Sequence, residues 1–456
     1  MTNETISKLQ QIPGLKVLLG EQIGADYCHD ELPDARPYAP EAVCEAESTQ
    51  QVSQLMKLCS EEGLSVTVRG AGTGRAGASV PVKGGIVLSL KEMNKIISVD
   101  EEAMTMTLQP GVLLQDVKAE AESHGLYYPP DPGEKTATIG GNVSTNASGP
   151  CAGKYGRSCD YVLDAELVLA DGTVTTLSAR EDLRQVLGSE GTLAVITRLS
   201  LKLVKAPGAD VILLLPFADS DTALAAAEKI AQADFAPAVM EYMDGEIVEF
   251  SGNVTGNPVF PLEIDGCSVA ATLMLSLEAD DEDAVEELME QFAEYAEELE
   301  CLDILVGDTI SMKREFWAAH DAFHNSMESA GAQVEVNVSV PSRQLSALIN
   351  YAKSLGEEGG YKVMAYSHVP CGGVHFHGVS DMSKDEFRDR AAAFAKAVRS
   401  KCLELGGSAT AEYGVGYANI DWFKSSDAEG YQQMLQAKAK LDPRGILNPG
   451  KVVEQC

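Results

Sequence analysis

Val66-Thr67-Val68-Arg69-Gly70-Ala71-Gly72-Thr73-Gly74-Arg75-Ala76-Gly77 is a β-branched run that gives way to residues with little or no Cβ. A strand ending in such a loop lets successive backbone N–H groups converge on an anion, which makes a phosphate nest its natural use. Residues 72–77 also match GxGxxG, the dinucleotide fingerprint. The residues that follow, Ala78-Ser79-Val80-Pro81-Val82-Lys83-Gly84-Gly85, cannot open the helix that fingerprint requires, so a Rossmann unit is excluded. Taken alone, the loop reads either as a structural turn or as a phosphate site.

Working outward, residues 45–204 alternate short β-rich runs with glycine-rich turns: 65–68, 85–90, 105–109, 165–169 and 193–203. Helical spacing is confined to 48–62 and 114–124, so this half is an α+β block and not a regular βαβ array. After Pro207 the texture changes. Strands at 211–215 and 269–275 alternate with helices at 221–233 and 280–300, the latter carrying an apolar stripe of Val285, Leu288, Phe292, Tyr295 and Leu299. A capping box at Ser383-Lys384-Asp385-Glu386 opens another helix, which Gly406-Gly407 stops. This half reads as an antiparallel sheet backed by helices. The turn-rich end, 441–451, is expected to fold back over the first half.

The 456 residues exceed one ordinary core, and a hydrophobic fraction of 45% with 23% charged residues is that of a chain folded throughout. The 35 basic and 69 acidic residues leave a net charge of −34, which repels nucleic acid and anionic lipid alike. Met1 to Gln11 lack a signal-peptide pattern, and the densest apolar run, Val211 to Leu215, is far short of a membrane span; a cytoplasmic protein without membrane insertion is expected. Ten cysteines without a CxxC pair point to reduced thiols and not to a disulfide framework, zinc ribbon or iron–sulfur cluster.

The first loop has company: Pro130-Asp131-Pro132, then Thr138-Ile139-Gly140-Gly141-Asn142-Val143-Ser144-Thr145-Asn146-Ala147, then Gly188-Ser189-Glu190-Gly191-Thr192. In order and wording these segments resemble the FAD-linked oxidase family with the p-cresol-methylhydroxylase-type FAD domain, in particular its D-lactate, glycolate and D-2-hydroxyglutarate dehydrogenase branch. The resemblance spans about residues 38–452. It implies a FAD-binding domain over 1–207, a substrate (cap) domain over 208–430 and a tail over 431–456 returning to the flavin. It further implies that Arg69, Gly70, Ala71, Gly72, Thr73 and Gly74 wrap the FAD pyrophosphate. Gly140, Gly141, Asn142, Thr145, Asn146 and Ala147, with Gly188, Ser189, Glu190, Gly191 and Thr192, then line the isoalloxazine and ribityl chain. Pro130, Asp131 and Ile196 join the cofactor-binding set, Tyr155-Gly156 falls in a flavin-proximal stretch, and Asn448 approaches from the tail. Some members tether flavin through a histidine in the first glycine loop. This loop has none, so the FAD is expected to be non-covalent.

Five of the seven histidines lie between residues 320 and 377. In Ser367-His368-Val369-Pro370-Cys371-Gly372-Gly373-Val374-His375-Phe376-His377 an unbroken strand would put His368 and His375 on opposite faces. A turn at Pro370–Gly373 removes that objection and lets His368 return beside His375 and His377. Glu412 adds a carboxylate, giving a two-histidine, one-carboxylate set suited to Zn²⁺, Fe²⁺ or Mn²⁺. The dehydrogenase branch has two histidines seven apart and a glutamate as metal ligands, which fall on His368, His375 and Glu412. Oxidation of a 2-hydroxy acid requires loss of the hydroxyl proton and transfer of hydride from C2 to flavin N5, and a divalent ion would lower the hydroxyl pKa.

The chain departs from these relatives at the histidine that follows the metal-binding glutamate, which is Tyr413, and at the asparagine two beyond the second ligand, which is His377. We infer that His377 is the base, because an ordinary imidazole pKa near 6.5 suits a proton acceptor better than a phenol near 10. Tyr413 is then a hydrogen-bond donor to substrate; a metal-polarised tyrosinate acting as base is the alternative. His320 and Glu335 stand where relatives carry a carboxylate-gripping arginine and a lysine, which favours a monocarboxylate such as D-lactate over 2-hydroxyglutarate, with glycolate and D-2-hydroxyglutarate as the alternatives. The same fold hosts alkylglycerone-phosphate synthase, a non-redox flavin transferase, but no basic loop for its phosphate lies beside residues 368–377. A non-catalytic flavin subunit would not need the metal set. The resemblance also implies a redox partner, such as an electron-transferring flavoprotein docking on the acidic surface.

Overall fold

A computed structural model describes residues 1–33, 35–327 and 329–454. The chain forms two compact units. The first comprises residues 1–148, 157–206 and 413–456; the second comprises 149–156 and 207–412.

In the first unit Val66–Arg69 lies at the edge of a four-stranded sheet, beside Ile86–Ser89, then Ala42–Glu45, then Lys16–Leu18. The three longer strands run parallel and the last antiparallel. These short parallel strands are largely buried and mostly apolar, each ending in a polar residue: Glu45, Arg69 and Ser89. Helix Thr49–Glu62 packs Val52, Leu55, Met56 and Cys59 into a core with Cys44, Val66, Leu88, Val168 and Val195. Its Ser48 side chain accepts the Gln51 N–H and Gly63 ends it in the left-handed conformation. A second, antiparallel sheet follows the order Ile96–Asp100, Thr105–Leu108, Val195–Lys202, Val162–Val168, Val174–Leu177.

The second unit is built on one seven-stranded antiparallel sheet in the order Leu305–Gly307, Ala209–Phe217, Ala271–Ala279, Val239–Asp244, Lys362–His368, Gly373–Ser380, Ala332–Ser339. Leu213, Leu215, Tyr242, Leu273, Leu275, Val336, Val338 and Phe376 fill one face. Helices Ser220–Gln232, Glu282–Ala296, Leu345–Gly359 and Lys384–Glu404 cover it. Ile212, Leu214, Met243, Met274, Met364 and Tyr366 point the other way, against Gly245–Thr255 and Ile310–Met327. The capping box at Ser383 is formed, and no helix among the described residues is long and apolar enough to cross a membrane.

Within the Thr138–Ala147 segment Ile139–Thr145 is a short helix whose N-cap Thr138 accepts the Gly141 N–H at 3.3 Å, and Asn146 ends it at φ +50°. Two expected domain bounds need correction. The chain returns to the first unit at Tyr413 and not at residue 431, because Val415, Ile420 and Phe423 pack with Tyr431, Val452 and Val453 in one apolar cluster. Residues 149–156 belong to the second unit, where Lys154 Nζ lies 2.9 Å from Glu278 and Gly153 leaves no room for a Cβ against Pro370.

Candidate flavin and metal sites

The three glycine segments and the tail converge within the first unit. Gly188 N–H donates to Val143 O at 3.1 Å and Glu190 N–H to Ser144 O at 2.8 Å, which ties the 188–192 turn to the 139–145 helix. Asn448 then joins turn, strand and tail: its Oδ1 accepts the Val68 N–H at 2.9 Å and its Nδ2 donates to Glu190 O at 2.6 Å. Gly191, at φ +69°, must lack a side chain because a Cβ would stand 3.0 Å from the Asn448 amide. The Glu190 carboxylate accepts the Val415 and Gly416 N–H groups at 2.7 and 2.8 Å. Glu190 and Asn448 sit at φ +54° and +41°, strain that this closed network offsets.

The residues expected to contact flavin divide into lining and support. Gly70, Gly72, Thr73 and Gly74 are half-buried and Ala71 is exposed, so the loop backbone faces outward. Arg69 supports it from behind: its guanidinium donates to His29 O at 2.7 Å and to Ser79 Oγ at 3.3 Å, and fills the space a Cβ on Gly72 would need. Gly140 is fully enclosed against Pro110, whereas buried Asn142 has an Nδ2 with no acceptor among the described residues. An unspent buried amide beside a Cβ-free loop is a lining that fits a ligand rich in hydrogen-bond acceptors, as FAD is. Thr145 Oγ1 and Thr192 Oγ1 return to carbonyls of their own turns, Gly141 O and Ser189 O. Asp131 pairs with Lys118 at 2.8 Å beside buried Pro130, Ala147 O accepts from Ser158, and Ile196 is a core residue paired with Leu167. Tyr155 and Gly156 lie in the second unit, the Tyr155 hydroxyl donating to Glu278. Tyr413 lies in the first unit, with the Arg75 guanidinium 5.5 Å from its ring centroid.

Sequence reading missed Lys451. This wholly buried ammonium donates to Thr67 Oγ1 at 3.2 Å and Asn448 Oδ1 at 3.4 Å. Burial pushes it down to about 7 against the opposing pull of Asp30 and Glu190. The lysine closing the Asn448-Pro449-Gly450-Lys451 turn was the available signal.

In the second unit the hairpin through Val369–Cys371 sets the register that brings the histidines together. His368 pairs with Gly373, Tyr366 with His375 and Met364 with His377, so all three histidines leave one face of the sheet. Glu412 reaches the same face: its Oε2 is 3.5 Å from His368 Nε2 and 3.3 Å from His375 Nε2. A tetrahedral ion with ligand bonds of about 2.0–2.2 Å holds its ligand atoms about 3.3–3.5 Å apart, so the three groups fit a divalent metal. Burial opposes charge on His368, but Glu241 and Glu412 outweigh it and hold the imidazole pKa well above its ordinary value. Burial likewise opposes charge on Glu412, and His368 and His375 hold its carboxyl well below the ordinary range.

Two further supports were invisible in the sequence. Glu241, directly across from His368 and wholly buried, accepts from His368 Nδ1 at 2.7 Å and from His320 Nε2 at 3.2 Å. It thereby leaves His368 Nε2 facing Glu412, as a carboxylate–histidine–metal arrangement would require. Asn337 accepts the Glu412 N–H at 3.0 Å through Oδ1 and sets its Nδ2 3.1 Å from His375 Nε2 and 3.2 Å from Nδ1, while Tyr366 stacks on His375 with centroids 4.4 Å apart. Glu241→Gln is therefore expected to weaken divalent-metal affinity by about 10- to 100-fold while leaving FAD bound. Competition of the variant against a metal-sensitive chelator measures this, and an unchanged affinity would remove Glu241 from the site. His377 shares the face, but its metal-competent neighbours are His324 and Glu335 and not the His368–His375–Glu412 set.

Against known proteins, the FAD binding domain family matches residues 40–178 and the C-terminal domain of FAD linked oxidases matches 206–452. The chain is 36% identical over 463 residues to the D-lactate dehydrogenase of Anaerostipes hadrus, covering 99% of this chain and 98% of that one. With the D-lactate dehydrogenase of Archaeoglobus fulgidus it shares 31% identity, over 94% and 96% of the two chains. Crystalline p-cresol methylhydroxylase with substrate bound superposes with a TM-score of 0.79 at 18% identity, covering 99% of this chain and 97% of that one, a likeness of fold. Both halves of the chain, and relatives spanning nearly its whole length, thus agree: the protein belongs to the FAD-linked oxidases, on the branch that includes the D-lactate, glycolate and D-2-hydroxyglutarate dehydrogenases.

Proposed function

We propose that the protein is an FAD-dependent dehydrogenase of a small D-2-hydroxy acid, D-lactate above glycolate and D-2-hydroxyglutarate, working with a divalent ion held by His368, His375 and Glu412. The observation that carries this reading is that triad, three ligand groups spaced for one ion on a single sheet face. Two relatives along the full chain are named D-lactate dehydrogenases. The monocarboxylate preference rests on Glu335 and on His320, whose Nε2 is engaged by Glu241.

The 69–74, 139–147 and 188–192 segments would hold FAD non-covalently, and FAD so bound would supply a hydride acceptor at N5. A divalent ion at the triad would supply charge to orient the substrate's carboxylate and hydroxyl and to ease loss of the hydroxyl proton. Glu241 keeps the His368 ring turned, Asn337 and Tyr366 hold Glu412 and His375, and the proton leaves to one of two residues, His377 or Tyr413. Electrons pass on to a redox partner such as an electron-transferring flavoprotein, which a surface of net charge −34 would steer through a basic docking patch.

Anaerobic flavin bleaching with D-lactate, glycolate, D-2-hydroxyglutarate and L-lactate tests the reading. D-lactate is expected to reduce the flavin fastest, and acid precipitation to leave all the flavin in the supernatant as FAD. No bleaching by any of the acids would overturn the dehydrogenase assignment, and yellow colour retained by the precipitate would overturn non-covalent binding.

A further inference from the structure

Glu335 and His377 are register partners on the neighbouring strands 332–339 and 373–380, so their side chains leave the sheet side by side on the face that carries the triad. Helix Ile310–Met327 packs on that face and brings His324 to them. The His324 Nδ1 is 3.7 Å from Glu335 Oε1, and its ring centroid is 6.1 Å from that of His377. One ligand atom from each of the three lies within 4.8 Å of the others, the spacing that the His368–His375–Glu412 set also meets.

We propose that His324, Glu335 and His377 form a second divalent-cation site. Two imidazoles and one carboxylate are a set for Zn²⁺, Mn²⁺ or Fe²⁺, with positions left open for a further ligand. His377 is 1% exposed at the base, while the Glu335 and His324 side chains are 11% and 26% exposed, so the site has a closed floor and an open entry. The two sets share no residue, and His375 and His377, two apart on one strand, have Cα atoms about 6–7 Å apart.

One consequence follows, and it rests on the reading of the first triad given above. A ring nitrogen of His377 that ligates a cation cannot also accept the substrate proton, which leaves that role to Tyr413, the other candidate.

The test is zinc stoichiometry of the FAD-loaded protein after chelation, refilling with Zn²⁺ and gel filtration, with metal measured per FAD. The wild type is expected to hold about two Zn²⁺, and Glu335→Gln, His324→Ala and Glu412→Gln about one each, with none in the Glu335→Gln/Glu412→Gln double variant. His324→Ala, near the surface, keeps the test open should Glu335→Gln fold poorly, and the FAD-to-protein ratio reports folding in every case. One Zn²⁺ that survives Glu335→Gln and His324→Ala but disappears in Glu412→Gln would overturn the second site and leave the first. One that survives Glu412→Gln but disappears in Glu335→Gln would uphold the second site and overturn the first. Equal zinc in all variants, or none in the wild type, would overturn both.

Discussion

Glu412→Ala and His368→Ala are each expected to lose the ion of the first triad and to lower turnover about 10³-fold or more, while FAD stays bound. The size follows from the several kcal/mol that Lewis-acid stabilisation contributes to such reactions, at 1.36 kcal/mol per factor of ten. FAD should remain because the three glycine segments proposed to hold it belong to the first unit, whereas His368 and Glu412 belong to the second. The pH dependence has a definite sign. Glu241 and Glu412 raise the His368 pKa above its ordinary value, so an entering ion competes with a proton there over a higher pH range than at an ordinary imidazole. Apparent metal affinity of the wild type should thus rise with pH up to the His368 pKa and level off above it. Elemental analysis beside the flavin spectrum decides the matter: full first-site metal in both variants would remove the triad from the mechanism.

The second large effect concerns the proton. Tyr413→Phe is expected to slow anaerobic flavin reduction by D-lactate about 10²- to 10⁴-fold, the usual worth of a positioned general base, with FAD and both metals retained. His377→Asn should also be slow, but with one Zn²⁺ fewer per FAD, because it would lose a ligand and not a base. The pH profiles separate the two roles. An ordinary phenol near 10 as acceptor makes the reduction rate climb above neutrality, whereas an ordinary imidazole near 6.5 makes it level off there. A brisk Tyr413→Phe enzyme, together with a crippled His377→Asn enzyme of undiminished zinc content, would return the base to His377 and dissolve the second site at once.

Much of the fold was legible because it is encoded locally. The Val66–Arg69 strand stops where side chains shrink, and the missing helix after Gly77 follows from Pro81, Gly84 and Gly85. The Ser383 capping box forms as read, and the turn at Pro370–Gly373 brings His368 beside His375. The Ile139–Thr145 helix was not legible, because two adjacent glycines disfavour a helix in isolation. The packing against Pro110 that makes Gly140 necessary comes from a residue far outside the segment.

The amino-acid sequence by itself carried the glycine-rich segments and the antiparallel second half, since strand period and turn chemistry act over a few residues; His368, His375 and Glu412 were named there as candidates with the help of the family resemblance. Only the tertiary structure decided that Glu241 buttresses His368 from 127 positions away and that Asn337 holds Glu412. It likewise decided that His377 stands with Glu335 and His324 and that the chain re-enters its first unit at Tyr413. The reason is physical: which side chains face one another across a sheet depends on strand order and register, and burying Glu241 is tolerable only once two histidines have been brought to it from distant segments.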